Sequence, residues 1–328
     1  MATITVRPPS FEDGLGVPIP VEIESGLEVV VESEEEFGSG WSQTTKEAAP
    51  ALQVPRHPIP FMQAAFAESL VEATRTTLPK PKFRVGDAKS RRDELLDQQI
   101  SEKPPGALWR RRPGQQQHEL RRLMAQISFG VYLLLNGLAN SQMSVVTILQ
   151  GHIDEVDEFL ETTLEDMALA VKDLDSRVDH LKLPLDNLGV FEKMLEDRSF
   201  RLQILEGNEK IEHIVDRTQA ALLQIMEDVS EGFKVTQHFS DYLEEQKNEL
   251  WRHERPDVTD IFGAMRGNTE GWYNALLDLQ TKEKKLNHLI AKLNSMVAQI
   301  EHKAGEVSRR TRVRDVSHHR DLHHRTDR

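Results

Sequence analysis

The sequence predicts an all-α fold, an elongated bundle of three long coiled-coil-like helices behind a disordered N-terminal arm, on three observations. Apolar residues recur on alternating three- and four-residue steps through much of residues 115–307, the 3.5-residue period of helices packed along one another. Thirteen of the fifteen prolines precede residue 114, and a proline inside a helix removes a donor and crowds the turn before it. Charged residues make up 29% and aromatics only 6%, a balance that suits long solvated helices better than a large globular core.

Residues 1–113 are expected to form a mostly disordered, proline-rich acidic arm. The apolar pieces between its prolines are short and have no sustained period, so they cannot bury enough surface to offset the chain entropy. A short helix around Met62–Thr76 is the exception, because Phe61, Ala65, Leu70 and Val71 are roughly helix-spaced. Further upstream, Leu27-Glu28-Val29-Val30-Val31 runs into Glu32-Ser33-Glu34-Glu35-Glu36. A short β-prone run with an acidic flank resembles a SUMO-interacting motif, which adds a strand to a sheet edge while its acids meet a basic rim. Leu27, Val29, Val30 and Val31 are therefore candidate partner-binding residues, although plain acidic disorder accounts for the same run.

Residues 114–308 are expected to form the long-helix bundle, with breaks at the two remaining prolines, Pro184 and Pro256. The first element should span about 115–182, with a kink at Gly151. Its later part carries Leu164, Met167, Val171, Leu174, Val178 and Leu181 on the repeat. The extra four-residue step through Ile153, Val156 and Leu160 is a stutter that relaxes a supercoil. The second should span about 187–251, with Ile211, Val215, Thr218, Leu222, Ile225, Val229, Gly232, Thr236, Phe239 and Leu243 in register. The third should span about 269–307 after a separate short helix at 257–266. Its seam is Trp272, Leu276, Leu279, Leu286, Ile290, Leu293, Val297, Ile300 and Val307. The short turns at Pro184 and Pro256 favour antiparallel neighbours within one chain.

Leu123–Leu149 is a run of 27 residues without a charge, long enough to span a bilayer. Arg110, Arg111, Arg112, Arg121 and Arg122 precede it and acids follow, a polarity that would leave the N-terminus in the cytosol. Gln126, Asn136, Asn140 and Gln142 lie inside the run, and amides are costly in hydrocarbon without partners. A buried core helix explains the same run better, with Gly130 and Gly137 permitting close approach of a neighbour. Val131, Leu134 and Leu138 are the candidate membrane or core residues.

Catalytic signatures are missing. The chain has no cysteine, which excludes disulfides, thiol nucleophiles and Cys-ligated zinc or iron–sulfur clusters. There is no Walker A loop and no Gly-x-Gly-x-x-Gly. His118-Glu119 and His253-Glu254 both lack the second histidine of a helical zinc protease. Glu209 and Glu212-His213 come nearest to half of a di-iron site, without a matching pair. No catalytic residue, metal ligand or cofactor is expected. The acids from Asp154 to Asp166 read as a solvated face. A net charge of -13 argues against nucleic acid and anionic lipid as partners of the whole chain.

Residues 309–328 form a basic tail with seven arginines, four histidines and three aspartates. Its His318, His319, His323 and His324 pairs suit incidental metal binding, and its charge suits contact with the acidic body. The opening Met1–Pro9 stretch is not a secretory signal. With no Asn-x-Ser/Thr acceptor anywhere, the expected location is the cytoplasm, with the nucleus as the other compartment that fits.

Gln150-Gly151-His152-Ile153-Asp154-Glu155-Val156-Asp157, Lys182-Leu183-Pro184-Leu185 and Glu206-Gly207-Asn208-Glu209-Lys210-Ile211 resemble segments of a group of uncharacterised coiled-coil proteins of filamentous fungi. The resemblance covers about residues 105–310 and implies a coiled-coil body; it implies no activity, so no site residue is carried over. The function expected is that of a non-enzymatic scaffold or adaptor that binds other proteins through long helical surfaces, with homo-oligomerisation. The alternative is a helical protein that inserts residues 123–149 into membranes conditionally. A curvature-sensing three-helix dimer of the BAR type is a third option, weakened by the acidic middle of the chain.

Overall fold

The structure, a computed structural model, describes residues 54–75, 83, 86–105, 110–111 and 114–325. The chain divides into two compact units, Met1–Ala51 and Leu52–Arg328. The first unit, with the Leu27 and Val29–Val31 candidates, lies outside the described residues. The second is all helix among the described residues. A 3-10 turn at Pro60–Met62 leads into α1 (Gln63–Arg75), followed by α2 (Ala88–Asp97), α3 (Glu119–Leu135), α4 (Gln142–Asp186) and α5 (Leu188–Met194). Then come α6 (Arg198–Gln246), the single turn α7 (Trp251–Glu254), a 3-10 turn at Pro256–Val258 and α8 (Thr259–Arg325). At 1.5 Å per residue α6 is about 75 Å long and α8 about 100 Å.

The three long helices are α4, α6 and α8, and α8 packs along both of the others. Trp272 Nε1 donates to Asp157 at 2.7 Å, and Lys285 meets Asp175 at 4.0 Å. Both numbers rise together, so α4 and α8 run parallel. Phe233 packs edge-on to Tyr273 with centroids 5.4 Å apart, and Glu244 meets Arg266 at 3.5 Å. Here one number rises as the other falls, so α6 runs antiparallel to α8. The predicted seam of α8 is in place: Leu276, Leu279, Leu286, Ile290, Leu293, Val297 and Ile300 are all buried. Away from α8, the cleft between α4 and α6 is bridged by α3 near one end and by α2 beside it. The bundle thus has a fourth layer made of two short helices.

That layer corrects the expected boundary at residue 113. Residues 54–75 and 86–105 belong to the packed unit, with Ile59, Met62, Ala65, Phe66 and Leu95 buried. The expected helix around 62–76 is α1. α2 carries only Leu95 and Leu96 as large apolar residues, so apolar period gave no warning of it. Polar contacts hold it instead. Arg91 bonds Asp166 at 2.9 Å, and Arg92 bonds Asp173 at 2.9 Å. Asp87 caps its N-terminus by accepting from Ser90 N–H at 2.7 Å.

Other expected breaks are displaced. Gly151 lies inside an unbroken α4, and Pro184 lies in its last turn, where only one intrahelical bond is forfeited. The chain reverses after α4, close to Pro184, and a further reversal lies at Asn136-Gly137. Gly137 has φ +65°, which costs glycine little. Its N–H reaches Leu134 O at 3.3 Å while Leu138 N–H reaches Leu133 O at 2.9 Å, closing α3 with a Schellman motif. The uncharged run is therefore two helices joined by a turn. Gly130 touches Leu149 across it; a Cβ there would stand 2.8 Å from a Leu149 methyl. The second element begins at Arg198, capped by Asp197, with α5 and a turn before it. The third starts at Thr259 without a separate short helix and continues to Arg325, through all but the last three residues of the expected tail.

Candidate functional site

Two places gather side chains that bear on function. The first lies where α1, Arg110 and residues 114–118 close on α3 and α6. Asp228, on α6, is fully buried beside the apolar seam residues Ile225 and Val229. Arg110 Nε donates to both of its oxygens at 2.6 Å, and Arg110 Nη1 also reaches Gln224 Oε1 at 2.9 Å. His118 caps α3: its Nδ1 accepts from Leu120 N–H at 3.1 Å. The proton therefore sits on Nε2, which donates to Asp228 Oδ1 at 2.9 Å. Arg121 pairs with Glu231 and lies over the Phe61 ring at 4.4 Å. Arg122 is buried and bonds Glu119 at 2.9 Å, Ser69 at 3.3 Å, and Glu72. Glu68 accepts from the N–H groups of Gln116 and Gln117 at 2.7 and 2.8 Å.

This layer binds four segments together and has the chemistry of a clamp. Both Asp228 oxygens accept from charged or ring N–H donors. Removing one member would strand a buried charge, at a cost of about 3–5 kcal/mol. Next to it His57 is buried, donating from Nε2 to Ala125 O at 3.0 Å and accepting at Nδ1 from Ile59 N–H at 2.9 Å. Burial holds its pKa below the usual imidazole value, against the carbonyls of Ala125 and Ile59, which lie 3.0 and 2.8 Å from its ring nitrogens and raise it.

The second place is the end of the unit where α4, α5 and α6 meet. Leu183, Leu188, Val190, Met194, Leu202 and Leu205 are all exposed there, Leu183 and Val190 by more than 60%. They occupy the last turn of α4, all of α5 and the first two turns of α6. Beneath them Phe191, Leu195, Ile300, Ala304 and Val307 form a small separate core. Apolar side chains gathered on one end of a helical body are a mark of an interaction surface.

Of the candidate residues, Val131 and Leu134 are each 1% exposed and lie in the main core, whereas Leu138 is 57% exposed in the α3–α4 turn. Leu138 is thus neither a core residue nor part of a spanning helix. Among the described residues no helix is long and apolar enough to cross a membrane, and no group of three histidines or acids is placed to hold a metal ion. Sequence reasoning missed the clamp. In the sequence His118 suggests only half of a zinc motif, and Arg110 and Arg111 only a membrane flank, whereas Arg110 serves Asp228 and Arg111 meets Glu227 at 3.4 Å. An acid directly beside two seam positions, Ile225 and Val229, was the available signal. Compared with protein-family models, with curated proteins and with solved structures, the chain matches none.

Proposed function

We propose that this protein is a non-enzymatic helical scaffold that binds other proteins through its long helices, a second copy of its own chain among them. The observation that carries the reading is the exposed apolar end formed by α4, α5 and α6. Burying a Leu, Val or Met side chain fully gains about 1.5–3 kcal/mol, so six of them left partly in water favour association. The length of α8 supports the same reading, since a rod of about 100 Å offers separated surfaces to several partners. Cytoplasmic location fits this role. Insertion into membranes gains no support from the buried positions of Val131 and Leu134, whose neighbours already replace lipid.

Sedimentation of the purified chain tests the proposal. Wild type is expected to sediment as a dimer or larger at tens of micromolar. The triple variant Leu183→Glu, Val190→Glu, Leu202→Glu should be monomeric with unchanged circular dichroism. A monomeric wild type that also yields no cross-linked partner peptide at residues 183–205 would overturn it.

A further inference from the structure

α2 lies across the cleft between α4 and α6, and it is poorly matched to what it covers. Met167 and Ala170 of α4, Leu222 of α6 and Leu286 of α8 line the cleft beside it, and all four are buried. Against these apolar walls α2 sets one buried leucine, Leu95, and leaves a cavity of about 110 Å3. Its hold on α4 is polar. Arg91 and Arg92 pair with Asp166 and Asp173, acids that remain partly exposed, and ion pairs open to water contribute little net stability. On the α6 side the buried Arg217 donates to carbonyls at the end of α2 and to the Gln98 side chain. A desolvated guanidinium is matched better by a carboxylate than by neutral acceptors. An element with few buried apolar contacts and partly exposed polar bonds opens at less than the cost of global unfolding.

We propose that α2 is a releasable cover on a docking groove between α4 and α6, and that the groove receives an amphipathic helix of a partner protein. That helix carries lysine or arginine towards Asp166 and Asp173, a carboxylate towards Arg217, and more apolar bulk between them than α2 offers. Recognition of a helix in a groove takes an apolar channel for anchoring side chains and charges that fix the register. Here α4 supplies acids along one wall and α6 a buried cation in the other. α2 meets the basic half of that pattern, which is how it closes the groove, and Gln98 stands where the carboxylate belongs. A partner that supplies both halves displaces it. The groove is built around residues 163–174 and 213–225 and the apolar end around 183–205, so this inference and the scaffold reading fail independently.

The chain has no cysteine, so a single introduced thiol reports opening. Thr218 is buried beside α2, and Ser128 is buried against Met62 at the start of α1; both are close to cysteine in size. In the full chain Thr218→Cys should react with a maleimide roughly 100-fold faster than Ser128→Cys. Adding Arg91→Gln and Arg92→Gln should speed it further, and Gln98→Glu, which gives Arg217 a carboxylate, should slow it. A fluorescein-labelled peptide of residues 86–105 with Ala88→Leu and Gln98→Glu then serves as the partner helix. It should bind the Arg91→Gln, Arg92→Gln chain saturably and roughly tenfold tighter than wild type, and lose that binding when Asp166→Asn and Asp173→Asn are added. Equal reaction of the two thiols would overturn the releasable cover. Fast reaction of Thr218→Cys without peptide binding at about 100 µM would overturn the docking groove, and binding that survives both asparagines would overturn the role of the α4 acids. Dimerisation of the opened chain without peptide would make α2 of a second copy the occupant and overturn the partner assignment.

Discussion

Arg217 offers a sharp test of whether residues 88–105 belong to the folded body. It is 1% exposed on α6, and among the described residues none of its hydrogen bonds goes to a carboxylate. Its guanidinium instead donates to the carbonyls of Leu95 at 3.2 Å, Gln99 at 3.1 Å and Glu102 at 2.9 Å, and to the Gln98 side chain. These are the carbonyls at and just beyond the end of α2, where a helix leaves acceptors unsatisfied and its dipole is negative. His213, one turn earlier on α6, meets Leu96 O at 2.8 Å. Arg217→Met keeps most of the volume and removes every donor. Each hydrogen bond from a charged group contributes about 1.5–3 kcal/mol, and each carbonyl left buried costs about 1–3 kcal/mol. Against this stands the recovered desolvation of a buried guanidinium. A net loss of about 3 kcal/mol is expected, concentrated on α2. Hydrogen exchange reads it directly: amides of residues 88–105 should exchange roughly 100-fold faster, while those of α8 around Leu286 change much less. If exchange of α2 were unchanged and the urea midpoint moved by less than the equivalent of about 0.5 kcal/mol, these bonds would not be what holds α2 in place.

Four further outcomes follow from the same contacts. A chain that begins at residue 106 loses α1 and α2 and opens the cleft between α4 and α6, so it should unfold at a lower temperature and less cooperatively than the full chain by circular dichroism. Gly267→Ala should stabilise by about 1 kcal/mol, since a Cβ there meets nothing within 4 Å, whereas Gly232→Ala should destabilise because its Cβ would stand 2.8 Å from a Leu276 methyl; urea denaturation of the two side by side checks the opposite signs. His57 has a depressed pKa in the folded state, so below the unfolded value of about 6.5 the unfolded chain binds the extra proton and stability falls as pH drops; the melting temperature should decline from pH 7.5 to 5.5 and decline less in His57→Gln. Leu293→Asp puts a carboxylate at a fully buried seam position and should cost several kcal/mol, so a melting temperature within a degree or two of wild type would mean that this face is not buried.

What the sequence made legible was the part of the fold governed by apolar period. The seam of α8 from Trp272 to Val307 is buried as its three- and four-residue steps require, because a long helix with one greasy stripe has one low-energy way to lie. The breaks were legible only through their chemistry. Asn136-Gly137 is a turn signal of its own, yet it was submerged in a run chosen for lacking charge, and hydropathy is blind to a residue that needs φ above zero. Pro184 marks the end of α4 to within two residues, since in a last turn a proline removes a bond that the helix is about to lose anyway.

The fourth layer and the clamp were illegible for a different reason. α2 reads as Ala88-Lys-Ser-Arg-Arg-Asp-Glu-Leu-Leu-Asp, a sequence that alone would stay in water. Its stability comes from pairing Arg91 and Arg92 with Asp166 and Asp173, some eighty residues away, and from carbonyls handed to Arg217. Nothing local in either partner announces such a bond, because charges on a helix read as solvent-facing until the acceptor across the cleft is known. The acids of α4 that looked like a plain solvated face are in part the docking surface for α2, with Glu165 and Asp166 meeting Arg91. A bundle whose fourth wall is held by ion pairs should feel salt more than one held by leucines, since partly exposed pairs are screened at higher ionic strength. Raising salt from 0.05 M to 1 M should therefore increase hydrogen exchange in α2 more than in α8, and equal responses in the two helices would show that the apolar contacts of Leu95 and Leu96, not the arginines, keep α2 in place.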